Sequence, residues 1–305
     1  MIDIRENKGL NFIIGQWRPI TENFKGGGHL CMHMLAYKLA KRGHNVYICC
    51  EPYFKHNNIT QLECNHHIDN NGNDVFTIPN IIYNHSNTIS VYTQVTRYNP
   101  FNTINTVRWF MYDTDILIEE TFSENDVYFN FTNCKVKYKE REVGQLVLFN
   151  FNEDKLWNYN KDKSGYCHII HKHTPKNYKE ILSKYNSFDL TDWREKGGWD
   201  YLREQLNKFE YYLTFDDVSY FTNAAVMCGC KSIVIPTEKS KRKYINPTDF
   251  RHQNRYQGVG VSYGFDDLEW ANKTKDFIIK HIEDIKIIND KMIDDFVDYW
   301  SKKLK

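Results

Sequence analysis

Short, continuous apolar runs alternate along this chain with stretches whose apolar residues recur at helical spacing. Strand alternating with helix is the pattern of a parallel sheet covered on both faces. In the first half, 11–15 (NFIIG) predicts a buried strand and 29–42 (HLCMHMLAYKLAKR) a helix packed through Leu30, Met34, Leu35, Tyr37 and Leu39. The run 45–50 (NVYICC) then reads as the next parallel strand, and further strands are predicted at 75–78, 88–92, 107–110, 126–131 and 145–150. In the second half the pattern predicts strands at 167–171, 188–190, 211–215 and 232–236, separated by helices at 175–185, 198–209 and 218–227. A long amphipathic helix over 274–304 closes the chain, with Ile278, Ile279, Ile282, Ile285, Ile287, Ile288, Met292, Ile293, Phe296 and Val297 as its apolar stripe.

The chain is organised around 210–236 (EYYLTFDDVSYFTNAAVMCGCKSIVIP), which reads as a complete strand–helix–strand unit. Asp216 and Asp217 supply the turn and N-cap, Gly229 stops the helix, and Ser219 falls in its first turn, where unbonded N–H groups and the helix dipole favour a phosphate. Parallel sheets take ligands beyond the carboxyl ends of their strands, so the loops 171–174, 191–197 and 216–219 are expected to open onto one crevice. A polar stretch over 154–165 reads as a linker between two domains.

Composition narrows the classes. With 305 residues and 41% hydrophobic content, the chain can build two medium domains. Its 40 basic and 39 acidic residues leave no global field for nucleic acid, so any anion site must be local. The eight cysteines form no C-x-x-C pair and several lie in apolar segments, which predicts free, buried thiols in a reducing compartment. No targeting signal and no membrane-length apolar run is evident, so a cytoplasmic protein is expected. Trp300 with the lysines of 301–305 offers at most a weak peripheral contact with an anionic membrane.

Three local features carry candidate chemistry. Gly26, Gly27 and Gly28 form a glycine-rich turn before the first helix that would let backbone approach a ligand, and His29 and His33 stand behind it. Asp113 and Asp115 make a D-x-D at the end of the apolar run 109–112; it reads either as an Asp-rich turn or as a ligand pair for a divalent cation. Lys172, between His171 and His173 at a strand end, could neutralise a departing diphosphate. His66 and His67 lack partners at ligand spacing and read as loop histidines, and the basic run 239–243 reads as a solvated face.

Phe215, Asp216, Asp217, Val218 and Ser219, continued by Asn223, Ala224, Ala225, Val226, Met227, Cys228, Gly229 and Cys230, resemble the D-x-x-[ST]…E-A-A-x-x-G-C segment of GT-B glycosyltransferases, particularly small enzymes of microbial capsule and surface-glycan loci. Asn99, Pro100 and Phe101, followed by Val107, Arg108 and Trp109, are similar to the N-P-[LF]…V-x-R-W segment in the first half of the same proteins. The resemblance implies an α/β chain of two Rossmann-like domains facing a cleft. The acceptor-side domain would span 1–155 and the nucleotide-sugar domain 156–284, and a C-terminal helix, 285–305, would cross back to the first domain.

It further implies transfer of a sugar from a nucleotide-diphosphate donor, UDP- or GDP-linked, to a hydroxyl of a glycan or lipid-linked glycan, with no metal required. Lys172, Asp216, Asp217, Ser219, Thr222 and Asn223 would bind the donor, and Asp113 or His29 would be the general base, with Glu119 and Glu120 next in line. Phe215 and Asn223 stand where retaining members carry glutamates, which leaves the stereochemical outcome open. Two other readings compete: a metal-dependent GT-A enzyme holding Mn2+ or Mg2+ through Asp113 and Asp115, and an inactive nucleotide-sugar binding subunit.

Overall fold

The computed structural model describes residues 9–20, 27–68, 74–77, 86–112, 116–131, 134–149, 155–171, 174–217, 219–238, 246–248, 251 and 258–305. The chain divides into two compact units, Met1–Asn150 with Lys286–Lys305, and Phe151–Ile285.

The first unit runs β1 (Asn11–Ile14), α1 (Gly27–Lys41), β2 (Asn45–Ile48), β3 (Ile59–Gln61), β4 (Asn65–Ile68), β5 (Asp74–Thr77), β6 (Thr88–Thr93), β7 (Asn105–Phe110), α2 (Ile116–Glu119), β8 (Val127–Asn130) and β9 (Glu142–Gln145). Seven of these strands pair in parallel in the order β3-β2-β1-β6-β7-β8-β9, while β4 and β5 form a separate antiparallel pair. Every residue of β1 and β7 is buried, as expected of central strands covered on both faces. On one face α1 buries Met32, Leu35, Ala36 and Leu39 against Phe12, Ile14, Val91 and Trp109. Met32, Leu35 and Leu39 each contribute about 1.5–3 kcal/mol on leaving water.

Apolar pattern misleads at two places here. The strand predicted over 145–150 is met only at Gln145, where β9 ends; Leu146, Val147 and Leu148 are buried in irregular backbone. Their carbonyls take side-chain donors instead, Trp109 Nε1 on Leu146 O at 2.8 Å and Cys31 Sγ on Leu148 O at 2.9 Å. Trp300, considered for a lipid surface, is fully buried with Ile293 and Phe296 in the core of this unit, so it has no face to offer a membrane. Among the described residues, no helix is long and apolar enough to cross a membrane.

The second unit runs β10 (Tyr166–His168), α3 (Tyr178–Ser183), β11 (Phe188–Asp189), α4 (Gly198–Leu206), β12 (Tyr211–Thr214), α5 (Tyr220–Met227), β13 (Lys231–Val234), β14 (Val261–Tyr263) and α6 (Leu268–Thr274). Its five strands are parallel in the order β11-β10-β12-β13-β14. The polar stretch read as a linker packs onto α4: Asn207 accepts from Tyr159 N at 2.8 Å and donates to Trp157 O at 2.9 Å. The final helix is shorter than predicted. A 3-10 turn, Lys275–Phe277, separates α6 from α7 (Ile278–Lys303), and Ile279 and Ile287 of the predicted stripe are exposed.

Candidate active site

In each sheet the chain first steps to one side of its opening strand and later resumes on the other, which makes a crevice at the carboxyl ends of two adjacent strands. In the second unit that point lies between β10 and β12, paired in register from Tyr166–Tyr211 to His168–Leu213. Beyond β10 stands His171, and beyond β12 stands Asp216. His171 Nδ1 lies 2.9 Å from Asp216 Oδ2, with the imidazole 43% exposed and the carboxylate 3%. An ionised carboxylate can only accept, so Nδ1 carries the proton and donates it, leaving Nε2 as the nitrogen that Asp216 does not engage. Asp216 is itself fixed through its N–H, which donates to Thr214 Oγ1 at 3.1 Å.

Helix α5 starts directly after this turn. Its N-cap is Ser219, not Asp216 or Asp217, because Ser219 is extended (φ −96, ψ 133) and its Oγ accepts from Phe221 N at 3.1 Å. Thr222 Oγ1 donates to Ser219 O at 2.6 Å. Asp217, Ser219, Thr222 and Asn223 are all buried. Four rings surround this helix start, with centroid separations of 5.8 Å for Trp193–Phe221, 4.7 Å for Trp193–Trp199, 5.6 Å for Trp199–Tyr220 and 5.9 Å for Tyr220–Phe221. Phe221 also meets the His171 ring edge-on at 6.0 Å, so the imidazole is held by both a carboxylate and an aromatic.

In the first unit the corresponding point lies between β1 and β6. Gln16, buried just past β1, places its amide on His29 Nδ1 at 2.9–3.0 Å and donates to Arg18 O at 2.6 Å. Burial first, and the Arg18 charge second, hold the His29 imidazole below its ordinary pKa, so it stays neutral near pH 7. His33, one helical turn on, is committed to structure: its Nδ1 accepts from Tyr53 N at 3.1 Å, and burial lowers its pKa to about 4. Gly28 has a steric reason, since a Cβ there would sit 3.1 Å from Met111 Sδ; around Gly27 there is open space. Met111 N in turn donates to the buried Gln94 Oε1 at 3.2 Å, so the ends of β6 and β7 and the start of α1 converge.

No family model and no curated protein matches the chain. Among solved structures, a sucrose-phosphate synthase from Thermosynechococcus elongatus, a GT-B glycosyltransferase, matches over 98% of this chain and 99% of its own, at TM-score 0.50 and 9% identity. The chain has the GT-B fold. At that identity the likeness concerns the fold alone.

Within the GT-B frame, the second unit brings Asp216, Asp217, Ser219, Thr222 and Asn223 together at one strand–helix junction. The first unit brings His29 beside Gly28 and Gly27. Gly26, Asp113, Asp115, Lys172, His173 and the basic run 239–243 lie outside the described residues. Glu119 is buried and accepts from Lys137 N at 2.9 and 3.2 Å, while Glu120 pairs with Lys137 at the surface. Among the described residues, no group of three or more His, Cys, Asp or Glu could hold a metal ion. Two residues escaped sequence reasoning as site members. His171 had a usable signal, its place at the end of a strand run, but its pairing with Asp216 depends on β10 and β12 being neighbours. Gln16 had no signal in the sequence.

Proposed function

We propose that this protein transfers a sugar from a nucleotide-diphosphate donor, UDP- or GDP-linked, to a hydroxyl of a glycan or lipid-linked glycan, without a bound metal. The observation that carries the reading is the likeness to a glycosyltransferase fold across 98% of the chain. In this reading the second unit takes the donor. Lys172, Asp216, Asp217, Ser219, Thr222 and Asn223 surround the diphosphate, and His171, oriented by Asp216, faces it. As the bond from the anomeric carbon to the diphosphate oxygen breaks, negative charge develops on that oxygen, and the lysine, with the imidazole when its Nε2 also carries a proton, offsets it. The hydroxyls of Ser219 and Thr222 hold the helix start, so the phosphate meets a rigid surface. In the first unit His29 or Asp113 takes the acceptor proton; His29 is kept neutral by burial and Arg18, the state a base needs.

The test is thermal stability with UDP, GDP, CMP and dTDP, each with manganese and with chelator, followed by assay of donor turnover. A ligand at a hundred times its Kd stabilises the folded state by about 2.7 kcal/mol. UDP or GDP should raise the melting temperature equally in chelator, and Ser219→Asp should abolish that rise through like-charge repulsion. No rise with any nucleotide would sink the reading. A rise that needs manganese would move it to a cation held by Asp113 and Asp115, and binding without turnover would make the protein a nucleotide-sugar binding subunit.

A further inference from the structure

We propose that the second unit carries another ligand site, for a neutral sugar ring, at the end of α5 opposite Ser219. Residues Tyr220–Met227 of α5 separate the two places by about 12 Å at the helical rise. A cavity of about 290 Å³ opens there, between the 156–158 segment, the end of α5 with Gly229, and the start of α7. That volume is near the lower end for small-ligand pockets, roughly 300–1,000 Å³, which suits one ring and not a whole nucleotide sugar.

Its aromatic wall is Trp157, 44% accessible. Arg203 lies 4.1 Å from the centre of that ring, and is itself fixed by Tyr159 Oη at 2.8 Å, Lys155 O at 3.2 Å and Asp200 at 3.0 Å. Arg203 does not line the cavity, so the indole surface that does is the part it leaves uncovered. The aromatic wall is therefore held in place before any ligand arrives, which lowers the ordering cost of binding. Asn158 is equally constrained. A Cβ on Gly229, whose φ is +85°, would fall 2.7 Å from three atoms of the Asn158 amide.

Charge selects the ligand. Lys275 and Asp276 place one cation and one anion on the rim, so an anionic ligand would lose to Asp276 what it gained from Lys275. The carbonyl end of α5 adds a partial negative charge, which favours hydroxyl donors over phosphate. A pyranose satisfies each element, setting its C–H face on indole, Val226 and Met227 and its hydroxyls on the amide, ammonium and carboxylate. The assignment follows from this pocket's own chemistry and stands apart from the donor reading.

Fluorotryptophan-labelled protein tests it by fluorine NMR, with Trp157→Phe identifying the Trp157 line. Titration with maltotriose, cellotriose and triacetylchitotriose should shift that line saturably for at least one sugar, in the millimolar range typical of single-ring contacts. The affinity for the same sugar, read from a saturation-transfer titration, should fall about tenfold in Trp157→Ala, a loss of roughly 1.4 kcal/mol. Gly229→Ala, which displaces Asn158, should weaken it too. Nucleotide-induced melting shifts on the same variants report the donor site separately. The proposal is overturned if no sugar moves the Trp157 line, if that affinity is unchanged in Trp157→Ala, or if a nucleotide alone moves that line.

Discussion

The switch point of the first sheet is furnished with neutral groups, the buried amides of Gln16 and Gln94 and the half-buried, uncharged imidazole of His29. That of the second sheet is furnished with a half-exposed imidazole against a buried carboxylate, at the start of a capped helix. The same backbone solution, a parallel sheet that reverses its winding once, thus presents two chemistries. A neutral imidazole can take a proton from a hydroxyl, whereas an imidazole tied to a carboxylate through Nδ1 can donate to charge on a leaving group when Nε2 also carries a proton. The first unit also places a full ion pair, but in its interior. Arg108 donates to Asp126 at 2.6 Å, and to the carbonyls of Thr96 and Tyr98, with Tyr92 and Phe122 on its faces. That cation organises the loop after β6 and is sealed from any ligand.

The largest expected effect tests that division. Arg108→Met should destabilise the first unit by about 3–5 kcal/mol, because it strands the Asp126 carboxylate without its partner. Chemical denaturation would show it as a lowered midpoint for the first unit with nucleotide-induced stabilisation of the second retained. A loss below about 1 kcal/mol would mean that the pair is dispensable. Next comes pH. His33 has its pKa lowered from 6.5 to about 4 by burial, so above pH 6.5 both folded and unfolded forms are neutral and its contribution is intact. As pH falls from 6.5 towards 4 the unfolded chain takes up a proton that the folded one refuses, a loss of up to about 3 kcal/mol. His33→Asn should flatten that part of the stability profile, and an unchanged slope between pH 6.5 and 4 would show that His33 is not the group responsible.

Much of this architecture was legible because apolar runs and helical spacing survive in the sequence; 11–14, 88–93 and 211–214 are strands where the pattern puts them. The short strands β3 (ITQ) and β14 (VSY) lie where polar residues interrupt the apolar run, so the pattern does not mark them. The run 145–150 misled for the opposite reason: burial alone makes a segment apolar, and backbone pairing leaves no separate mark. The site divides along the same line. Residues local to one turn, Asp216, Ser219 and His29, could be nominated from spacing. The partnership of His171 with Asp216 is made across strands and depends on sheet order, which no window of sequence contains, while that of Gln16 with His29 depends on how the chain between β1 and α1 returns.

A smaller effect is expected where backbone approach is tightest. Gly15→Ala would place a Cβ 2.6 Å from Tyr92 Cδ1 and 3.1 Å from Val91 O, and should destabilise the first unit by about 1–3 kcal/mol while shifting Gln16 off His29. A neutral outcome in denaturation would show that the Tyr92 ring yields easily.

The comparison is sharpest in the second unit, where direction of effect separates two roles for Asp216. If the carboxylate acts through His171, by fixing Nδ1–H and leaving Nε2 unengaged by Asp216, Asp216→Asn and His171→Gln should each weaken binding of UDP or GDP about tenfold, near 1.4 kcal/mol. The double variant should then be no worse than either alone, because both remove one shared interaction. If Asp216 instead only adds negative charge near an anion, removing it should tighten binding, and the two substitutions should add. Calorimetry on the four proteins decides between these outcomes, and tighter binding by Asp216→Asn would leave the His171–Asp216 contact at 2.9 Å as a structural tie between β10 and β12.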